Sequence, residues 1–574
     1  MKNLSGFTVA VCFGIAVVAL AAVPRVQAQI NLPPNLGTDP GPQQLPPISA
    51  NTVTCSSNNN PNHLIDAPAS NPHNQPVGDI PIPLQNLSQN QLDLFCAAVG
   101  RFQEIDSVAG VLPPSGAGNG SSLCTPADLP PGSTATIPCI ESGTGLGPRF
   151  NGNGCQMCHF FPTFLGASGP VNPEAAAVSE LNIPTGGVGV LDGATNSLSA
   201  FANPPYQINA TTAIREVRFI NVPNTTGTFD GNVHNLFTIT GRVDATNAIN
   251  INPALGLTTC SEQQPDFTDA VSQKNVVFRI PIITQGDGLV ELIDDEALEL
   301  NNRALRGTNG VSGTFNRSGN DATITRFGWK AQNKSMAIFA GEAYNVEQGV
   351  SNDLFPNERR IDDDLLNESV TQIEDCQFHA LPDDLINFVA GSSNTNQGNL
   401  ASQISTDVFN FSAAMRLSAP PPQGVLNSNE QRGQTLFNTT LHCNQCHANN
   451  STGDMVTTAG SSFPVGQSLQ PVLAFSDFAL HEMASGPNLT NTYGQPCLDD
   501  QVMQGSAAGN MFRTAPLWGT TSRQFFLHDG SALNLQDAIL NHICPGSEAN
   551  DAGNAFVGLS TQDQDDVLEY LRTL

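Results

Sequence analysis

Apolar side chains recur at the spacing of an α-helix in several separate stretches of the chain. This rhythm predicts helices near residues 87–111, 335–344, 381–389 and 429–437. A terminal helix is predicted after Ser560, a good N-cap, and its apolar positions are Val567, Leu568, Tyr570, Leu571 and Leu574. The pattern as a whole predicts a mainly α fold.

Between residues 185 and 320 the pattern changes to short β-prone runs. Two of them, at 237–240 and 276–280, are bounded by Asn- and Gly-containing segments. We interpret this region as loops and short strands inserted into the mainly helical body.

The composition divides the chain into segments. Residues 29–85 are rich in Pro, Asn and Gln and lack periodicity, which indicates an extended lead segment. The prolines at 420–422 cannot continue a helix and predict a linker between domains. We therefore expect a first domain at 86–419 and a second, of ordinary domain size, at 423–574.

The N-terminus has the features of a secretory signal peptide. Lys2 precedes an apolar run at 7–23, and small residues at 26–28 offer a cleavage site after Ala28. The alternative is a permanent anchor, but Pro24 and Arg25 interrupt the run. We expect export to the periplasm or outside the cell, with no membrane span in the mature form.

The chain is strongly acidic. It carries 22 Lys and Arg against 51 Asp and Glu, for a net charge of −29. Such a charge repels phosphate backbones and anionic lipids, so nucleic acid is not an expected partner. A basic electron carrier would be attracted, although solubility explains the charge equally well.

Two segments have the sequence C-x-x-C-H. They are Cys155, Cys158 and His159, and then Cys443, Cys446 and His447. Two thiols one helical turn apart can add to the two vinyl groups of haem, and the adjacent His then reaches the iron. A redox dithiol or a zinc site is the alternative, but zinc would need a second pair of ligands near each motif. The motifs predict two covalently bound haem c groups.

Thirteen cysteines are present, and four of them belong to these motifs. Cys12 falls within the signal peptide, which leaves eight for the mature chain. An even number in an exported protein suggests disulfides. Proximity in the sequence favours Cys124–Cys139 and Cys497–Cys544.

Several further patches resemble the di-haem oxidoreductase family, whose wider relatives are the bacterial di-haem cytochrome c peroxidases. They are GLGPRFN at 145–151, RFGWKA at 326–331, DLFP at 353–356, RTAPLWG at 513–519 and FLHDG at 526–530. The resemblance spans roughly residues 145–574, and it implies two cytochrome-c-like domains that face each other.

The resemblance also implies roles for single residues. The ligand of the second iron follows the His of the His-Asp-Gly motif by fourteen positions, which is His542 here, where the peroxidases usually have Met. Trp329 corresponds to a tryptophan between the two haems, and Glu347 to an acid that would exchange protons with peroxide. The alternatives are a His packed at a helix end, a core Trp and an exposed helical Glu. His481 and Met483 could also contact haem, but no spacing selects either.

These expectations favour a peroxidase-like oxidoreductase. The second haem would accept electrons from a small donor protein such as a cytochrome and relay them to a first haem that binds peroxide. One alternative is a di-haem cytochrome that only transfers electrons. Another is an oxygenase acting on an organic substrate.

Overall fold

The computed structural model describes a set of separate ranges. They are residues 81–103, 155, 158, 159, 161, 163–167, 216–220, 236–237, 275–305, 310–356, 384, 406–449 and 472–574. The predicted signal peptide, the Cys124–Cys139 pair and most of the predicted helix at 381–389 lie outside these residues.

Helices predominate over strands in the described part, which confirms the mainly α prediction. The helices are α1 (Gln89–Gln103), α2 (Asp287–Glu291), α3 (Asp295–Leu305), α4 (Met336–Val346), α5 (Asp407–Leu417), α6 (Ser428–Thr439), α7 (Leu535–Leu540), α8 (Asn550–Val557) and α9 (Thr561–Leu571). The strands are β1 (Glu216–Phe219), β2 (Leu236–Phe237), β3 (Val276–Arg279), β4 (Leu480–Glu482) and β5 (Met511–Arg513).

The strands form two small antiparallel sheets. In the first, β1 lies between β2 and β3, with Val217 opposite both Phe237 and Phe278. In the second, β4 pairs with β5, and His481 lies opposite Phe512. The β-prone run at 276–280 therefore forms a strand as predicted.

Helices α1, α4 and α5 build one core around the first C-x-x-C-H motif. Ser335 and Thr406 cap α4 and α5 by accepting hydrogen bonds from the backbone N–H groups of Ile338 and Phe409, each at 3.2 Å. Apolar residues of all three helices pack in one cluster, and Cys155 and Cys158 lie against it.

Helices α6 and α9 build the core beside the second motif. Asn427 and Glu430 form a capping box at the start of α6, and Ser560 accepts a hydrogen bond from the N–H of Asp563 at 3.2 Å. Phe437 contacts Tyr570 between the two helices with ring centroids 5.5 Å apart. Residues 443–447 follow α6 directly and are thus fixed to this core.

The segment between α5 and α6 is extended, as its prolines require. The end of the predicted lead segment pairs with the end of α5, since the N–H of Leu84 donates to the oxygen of Leu417 at 2.7 Å. Beyond the prolines, the N–H of Gly424 donates to the oxygen of Thr573 at 2.7 Å. Backbone hydrogen bonds therefore hold both sides of the predicted linker.

One predicted disulfide is confirmed. Cys497 and Cys544 are bonded, with their Cα atoms 5.8 Å apart. Within the described residues, none of the helices combines the length and the apolar character that crossing a bilayer demands.

Candidate haem-binding sites

The first motif forms a single tight turn. The N–H groups of Cys158 and His159 both donate to the carbonyl of Cys155, at 3.1 and 3.0 Å. Neither thiol is in a disulfide, and both are half-buried. The turn therefore holds two thiols and an imidazole close together, as the spacing predicts.

A backbone carbonyl fixes the imidazole of His159. Its Nδ1 lies 3.1 Å from the oxygen of Gly166. Because a carbonyl oxygen only accepts, Nδ1 carries the proton and Nε2 keeps its lone pair for a metal. Gly166 is required here, because a Cβ would overlap the oxygens of Phe161 and Thr163.

Glu347 lies within electrostatic reach of the first motif. It caps the C-terminal end of α4 and is half-buried. Burial raises the pKa of the Cys155 thiol well above its usual range, and the negative charges of Glu347 and Asp407 raise it further. The tertiary structure thus brings two carboxylates from distant segments to the first motif, and the sequence indicated only one of them.

The second motif is held in the same way. Residues Cys443–Gln445 form a short 3₁₀ turn, and the N–H of His447 donates to the oxygen of Cys443 at 2.9 Å. Nδ1 of His447 lies 3.0 Å from the oxygen of Phe475, which again leaves Nε2 with its lone pair. Burial raises the pKa of Cys443 to about 12, so its sulfur remains a protonated thiol.

His542 faces His447. The centroids of the two rings are 6.5 Å apart at an interplanar angle of 55°. Nδ1 of His542 lies 2.8 Å from the oxygen of Ala538, one turn earlier along the chain, so its Nε2 also keeps a lone pair. Burial, and then the neighbouring His542, lower the pKa of His447 to about 4, which keeps this imidazole neutral.

His481 lies beside the second motif between two carboxylates. Its Nδ1 is 2.8 Å from Glu548 and its Nε2 is 3.0 Å from Asp477, while the sulfur of Cys446 lies 3.7 Å away. Met483 instead packs with Leu498 and Phe512 in a separate cluster. The sequence offered both His481 and Met483 as residues that could contact haem. Among the described residues, His481 contacts the second motif and Met483 does not.

Trp329 is buried where the segment after β3 meets the His-Asp-Gly motif. Its indole N–H donates to the oxygen of Ile280 at 2.9 Å, and its ring contacts that of His528 edge-on at 6.4 Å. The His528 ring also lies 4.5 Å from that of Phe512. The Trp and the His-Asp-Gly motif, which the sequence separates by almost 200 residues, therefore touch.

The side chains of Arg513 and Asp529 both form hydrogen bonds with the backbone. Nε of Arg513 donates to the oxygen of Gly328 at 2.8 Å, and Asp529 accepts from the N–H of Ser531 at 3.0 Å. Both residues therefore fix loops that lie next to Trp329 and His528.

A model of the family described as "Di-haem oxidoreductase, putative peroxidase" matches residues 258–574, more than half of the chain. The chain belongs to the di-haem oxidoreductase family. Membership implies haem cofactors and confirms the resemblance seen in the sequence. No curated protein matches the chain.

Solved structures that this di-haem oxidoreductase resembles are distant. Hydrazine synthase of Kuenenia stuttgartiensis shares 19% identity at a TM-score of 0.20, over 30% of this chain and 58% of that one. A MauG-like protein associated with microbial copper homeostasis shares 16% sequence identity at a TM-score of 0.25, and the match covers 49% of this chain and 90% of that one. The di-haem peroxidase BthA of Burkholderia thailandensis shares 14% sequence identity at a TM-score of 0.23, and the match covers 43% of this chain and 65% of that one. The chain thus spans less than two thirds of the hydrazine synthase and BthA chains.

The donor atoms of the second site fit a haem iron. Two metal–nitrogen bonds of about 2 Å, plus the distance from each nitrogen to its ring centre, add up to roughly 6 Å between centroids. The observed 6.5 Å between His447 and His542 agrees with that span. The distance between the two rings therefore matches the span of a metal bound by two imidazoles.

Proposed function

We propose that this chain is an exported di-haem oxidoreductase of the peroxidase type, with both haems attached covalently. Cys155 and Cys158 would hold the first haem and His159 its iron. Cys443 and Cys446 would hold the second, with its iron between His447 and His542. Domains at 86–419 and 423–574 would each carry one haem.

The observation that best supports this proposal is the pair of facing imidazoles at the second site. An iron closed on both sides by protein ligands exchanges electrons without binding a substrate. The second haem would therefore receive electrons and pass them on. Its donor would be a small electron-transfer protein such as a cytochrome, and a basic one would be drawn to the net charge of −29.

Glu347 supports peroxide chemistry at the first site. A carboxylate near the haem can take a proton from one peroxide oxygen and return it to the oxygen that departs as water. Its influence on Cys155 is consistent with this position. Haem supplies the redox chemistry when bound, and Glu347 would move the protons.

Trp329 would lie on the electron path between the sites. Its contacts with Ile280 and His528 join the first domain to the motif that leads into α7 and then His542. An aromatic ring at that junction would shorten each electron-transfer step compared with a path through aliphatic side chains.

The test is peroxide-dependent oxidation of a reduced small cytochrome by the purified haem-loaded protein. Glu347→Gln should lower kcat by roughly 10²- to 10⁴-fold, the usual contribution of general acid–base catalysis. Glu296→Gln is the matched control, because Glu296 is an exposed helical glutamate on α3. That variant should keep wild-type turnover.

Other outcomes would point elsewhere. Full turnover in Glu347→Gln would remove the acid–base role from this residue. Absence of turnover in the haem-loaded wild type would contradict the peroxidase proposal and favour electron transfer alone. Oxygen-dependent conversion of an organic substrate would favour an oxygenase.

A further inference from the structure

Tyr344 has an unusual partner for a buried phenol. It lies on α4, three residues before Glu347, and its side chain is 1% exposed. Its hydroxyl donates a hydrogen bond of 2.8 Å to Oδ2 of Asp407, which is equally buried. Any carbonyl oxygen could accept the hydrogen bond that a buried hydroxyl needs. A carboxylate can in addition accept the proton.

The surroundings of Asp407 keep it negatively charged. Arg101 lies 3.8 Å from its other oxygen. The neighbouring Asp384 accepts hydrogen bonds from the N–H groups of Asp407 and Val408, at 2.9 and 3.2 Å. Burial, and then the charge of Asp407, raise the pKa of Asp384 well above its usual range. Asp384 therefore resists ionisation, and Asp407 is the carboxylate of the pair that faces Arg101.

A continuous series of ring contacts joins Tyr344 to the proximal histidine of the first motif. Tyr344 meets Phe411 at 4.9 Å, Phe411 meets Phe102 at 6.2 Å, and Phe102 meets His159 at 6.2 Å, all edge to face. The rings come from α4, α5, α1 and the haem turn, and Tyr344, Phe411 and Phe102 all belong to the core cluster against which Cys155 packs.

A second observation places the same group near the first motif. The charge of Asp407 contributes to raising the pKa of Cys155, after burial, Glu347 and Cys158. The phenol, its proton acceptor and the haem attachment site are thus close together in one buried region.

We propose that Tyr344 is a redox-active residue that gives one electron to the first haem site after peroxide has oxidised it, while Asp407 takes the phenolic proton. The O–H bond of Tyr344 breaks and an O–H bond forms at Oδ2 of Asp407. The electron passes along Phe411, Phe102 and His159 and reduces the oxidised haem site by one electron. Tyr344 is left as a neutral phenoxyl radical. This inference rests on the proposed peroxide reaction.

The hydrogen bond makes this oxidation feasible in a buried place. Removing an electron alone would leave a cation in the core, at a large desolvation cost. Moving the proton across 2.8 Å to Asp407 avoids that charge. Tyr344 then stores one oxidising equivalent until the second haem or its donor returns an electron, and the electron and proton recombine at the phenol.

The test is electron paramagnetic resonance of the full-length haem-loaded protein, frozen at short times after mixing with hydrogen peroxide. The haem absorption, followed in parallel, reports whether peroxide has reacted. The chain has four tyrosines, and ring-deuterated tyrosine should narrow a phenoxyl signal. In Tyr344→Phe, which removes one oxygen from the core, we expect this signal to be lost while the change in haem absorption remains.

Tyr570→Phe is the matched control. Tyr570 is a buried phenol that packs on Phe437 in the second core, and its hydroxyl bonds to no carboxylate among the described residues. This variant should keep the signal. Asp407→Asn, which keeps an acceptor oxygen but removes the base, should delay and weaken it. In wild type, deuterated water should slow its appearance, a readout that needs no variant.

The outcomes separate the two proposals. A phenoxyl signal that persists in Tyr344→Phe would assign it to another tyrosine and overturn the inference. A haem absorption change without any phenoxyl signal in wild type would also overturn it and leave the peroxidase proposal standing. If peroxide leaves the haem absorption of wild type unchanged, both proposals fail.

Discussion

At the scale of single residues, the same kind of hydrogen bond orients three histidines. His159, His447 and His542 each direct Nδ1 at a backbone carbonyl, at distances of 2.8–3.1 Å. This contact fixes both the tautomer and the plane of the ring, and it leaves Nε2 with a lone pair that a metal could bind. Because the acceptor of each hydrogen bond is a backbone oxygen, most side-chain substitutions leave it in place.

The proposed ligand role of His542 predicts a change in redox potential. In His542→Met, a thioether would replace an imidazole on the second iron, and Met ligation raises haem potentials. We expect the potential of one haem to rise, by a fraction of the ~0.8 V range that axial ligands span. Potentiometric titration of the haem-loaded protein, followed by absorption, measures it.

The control for that prediction is His442→Asn. His442 is exposed and directly precedes the second motif with a φ of 55°, a conformation that Asn tolerates. This variant should keep both potentials. If His542→Met leaves potentials and spectra unchanged, His542 is a packing residue and not a ligand.

At the scale of elements, the second haem motif depends on the close approach of α6 and α9. Gly433 of α6 lies directly against the backbone of Asp566 on α9, and a Cβ would overlap its carbonyl and lie 2.9 Å from Cβ of Tyr570. The helix axes can approach this closely only because position 433 lacks a side chain. The motif begins four residues after α6 ends, so the crossing of the helices sets its position.

Gly433→Ala tests this close approach. In an ordinary helix interior the change would stabilise by roughly 0.5–1 kcal/mol. Here we expect a loss of about 1–3 kcal/mol, because the added methyl group must push the helices apart. Thermal unfolding followed by circular dichroism shows whether the substitution raises or lowers the stability of the fold. Gly424→Ala is the control, since the nearest atom to its Cβ would be 3.6 Å away, in ordinary contact.

At the scale of the whole molecule, a buried ionic network joins β3 and the Trp329 loop to the second half of the chain. Nε of Arg279 donates to Asp500 at 2.9 Å, and Nζ of Lys330 lies 3.1 Å from the same carboxylate. Lys330 also donates to three backbone oxygens, those of Ala508, Gly509 and Met511. All three charged side chains are fully buried, so the network holds Trp329 in place against distant segments.

Asp500→Asn should be strongly destabilising. It leaves two cations, Arg279 and Lys330, buried without their counter-charge, which typically costs about 3–5 kcal/mol. Denaturant unfolding of the haem-loaded protein measures the loss. Asp321→Asn removes the exposed ion pair with Lys334 but keeps an oxygen that can accept the hydrogen bonds from Thr323, so it should unfold close to wild type. A loss no larger than that of the control would mean that the network does not hold the structure together.

The same carboxylate predicts acid sensitivity. Burial alone would raise the pKa of Asp500, but the charges of Arg279 and Lys330 outweigh it and hold the pKa well below its ordinary value of 3.8. A lowered folded-state pKa stabilises the fold above pH 3.8 and loses this contribution as the pH falls further. Wild type should therefore lose more stability than Asp500→Asn between pH 4 and pH 2, by unfolding measurements at each pH.

The sequence by itself determined whatever depends on local spacing. The C-x-x-C-H motifs close single turns because thiols and imidazole need only five consecutive residues. Helices α4, α6 and α9 lie where the apolar rhythm, and for α9 the cap at Ser560, predicted them, since helices obey a short-range period. Motif patches along half of the chain were enough to identify the family.

Only the tertiary structure decided which distant side chains meet. The facing of His447 and His542, the contact of Glu548 with His481, and the bond between Tyr344 and Asp407 all join separate segments. A single acidic or aromatic residue has no local signature that distinguishes a site residue from a surface or core one. Their chemistry arises from burial and proximity, which the folded chain alone creates.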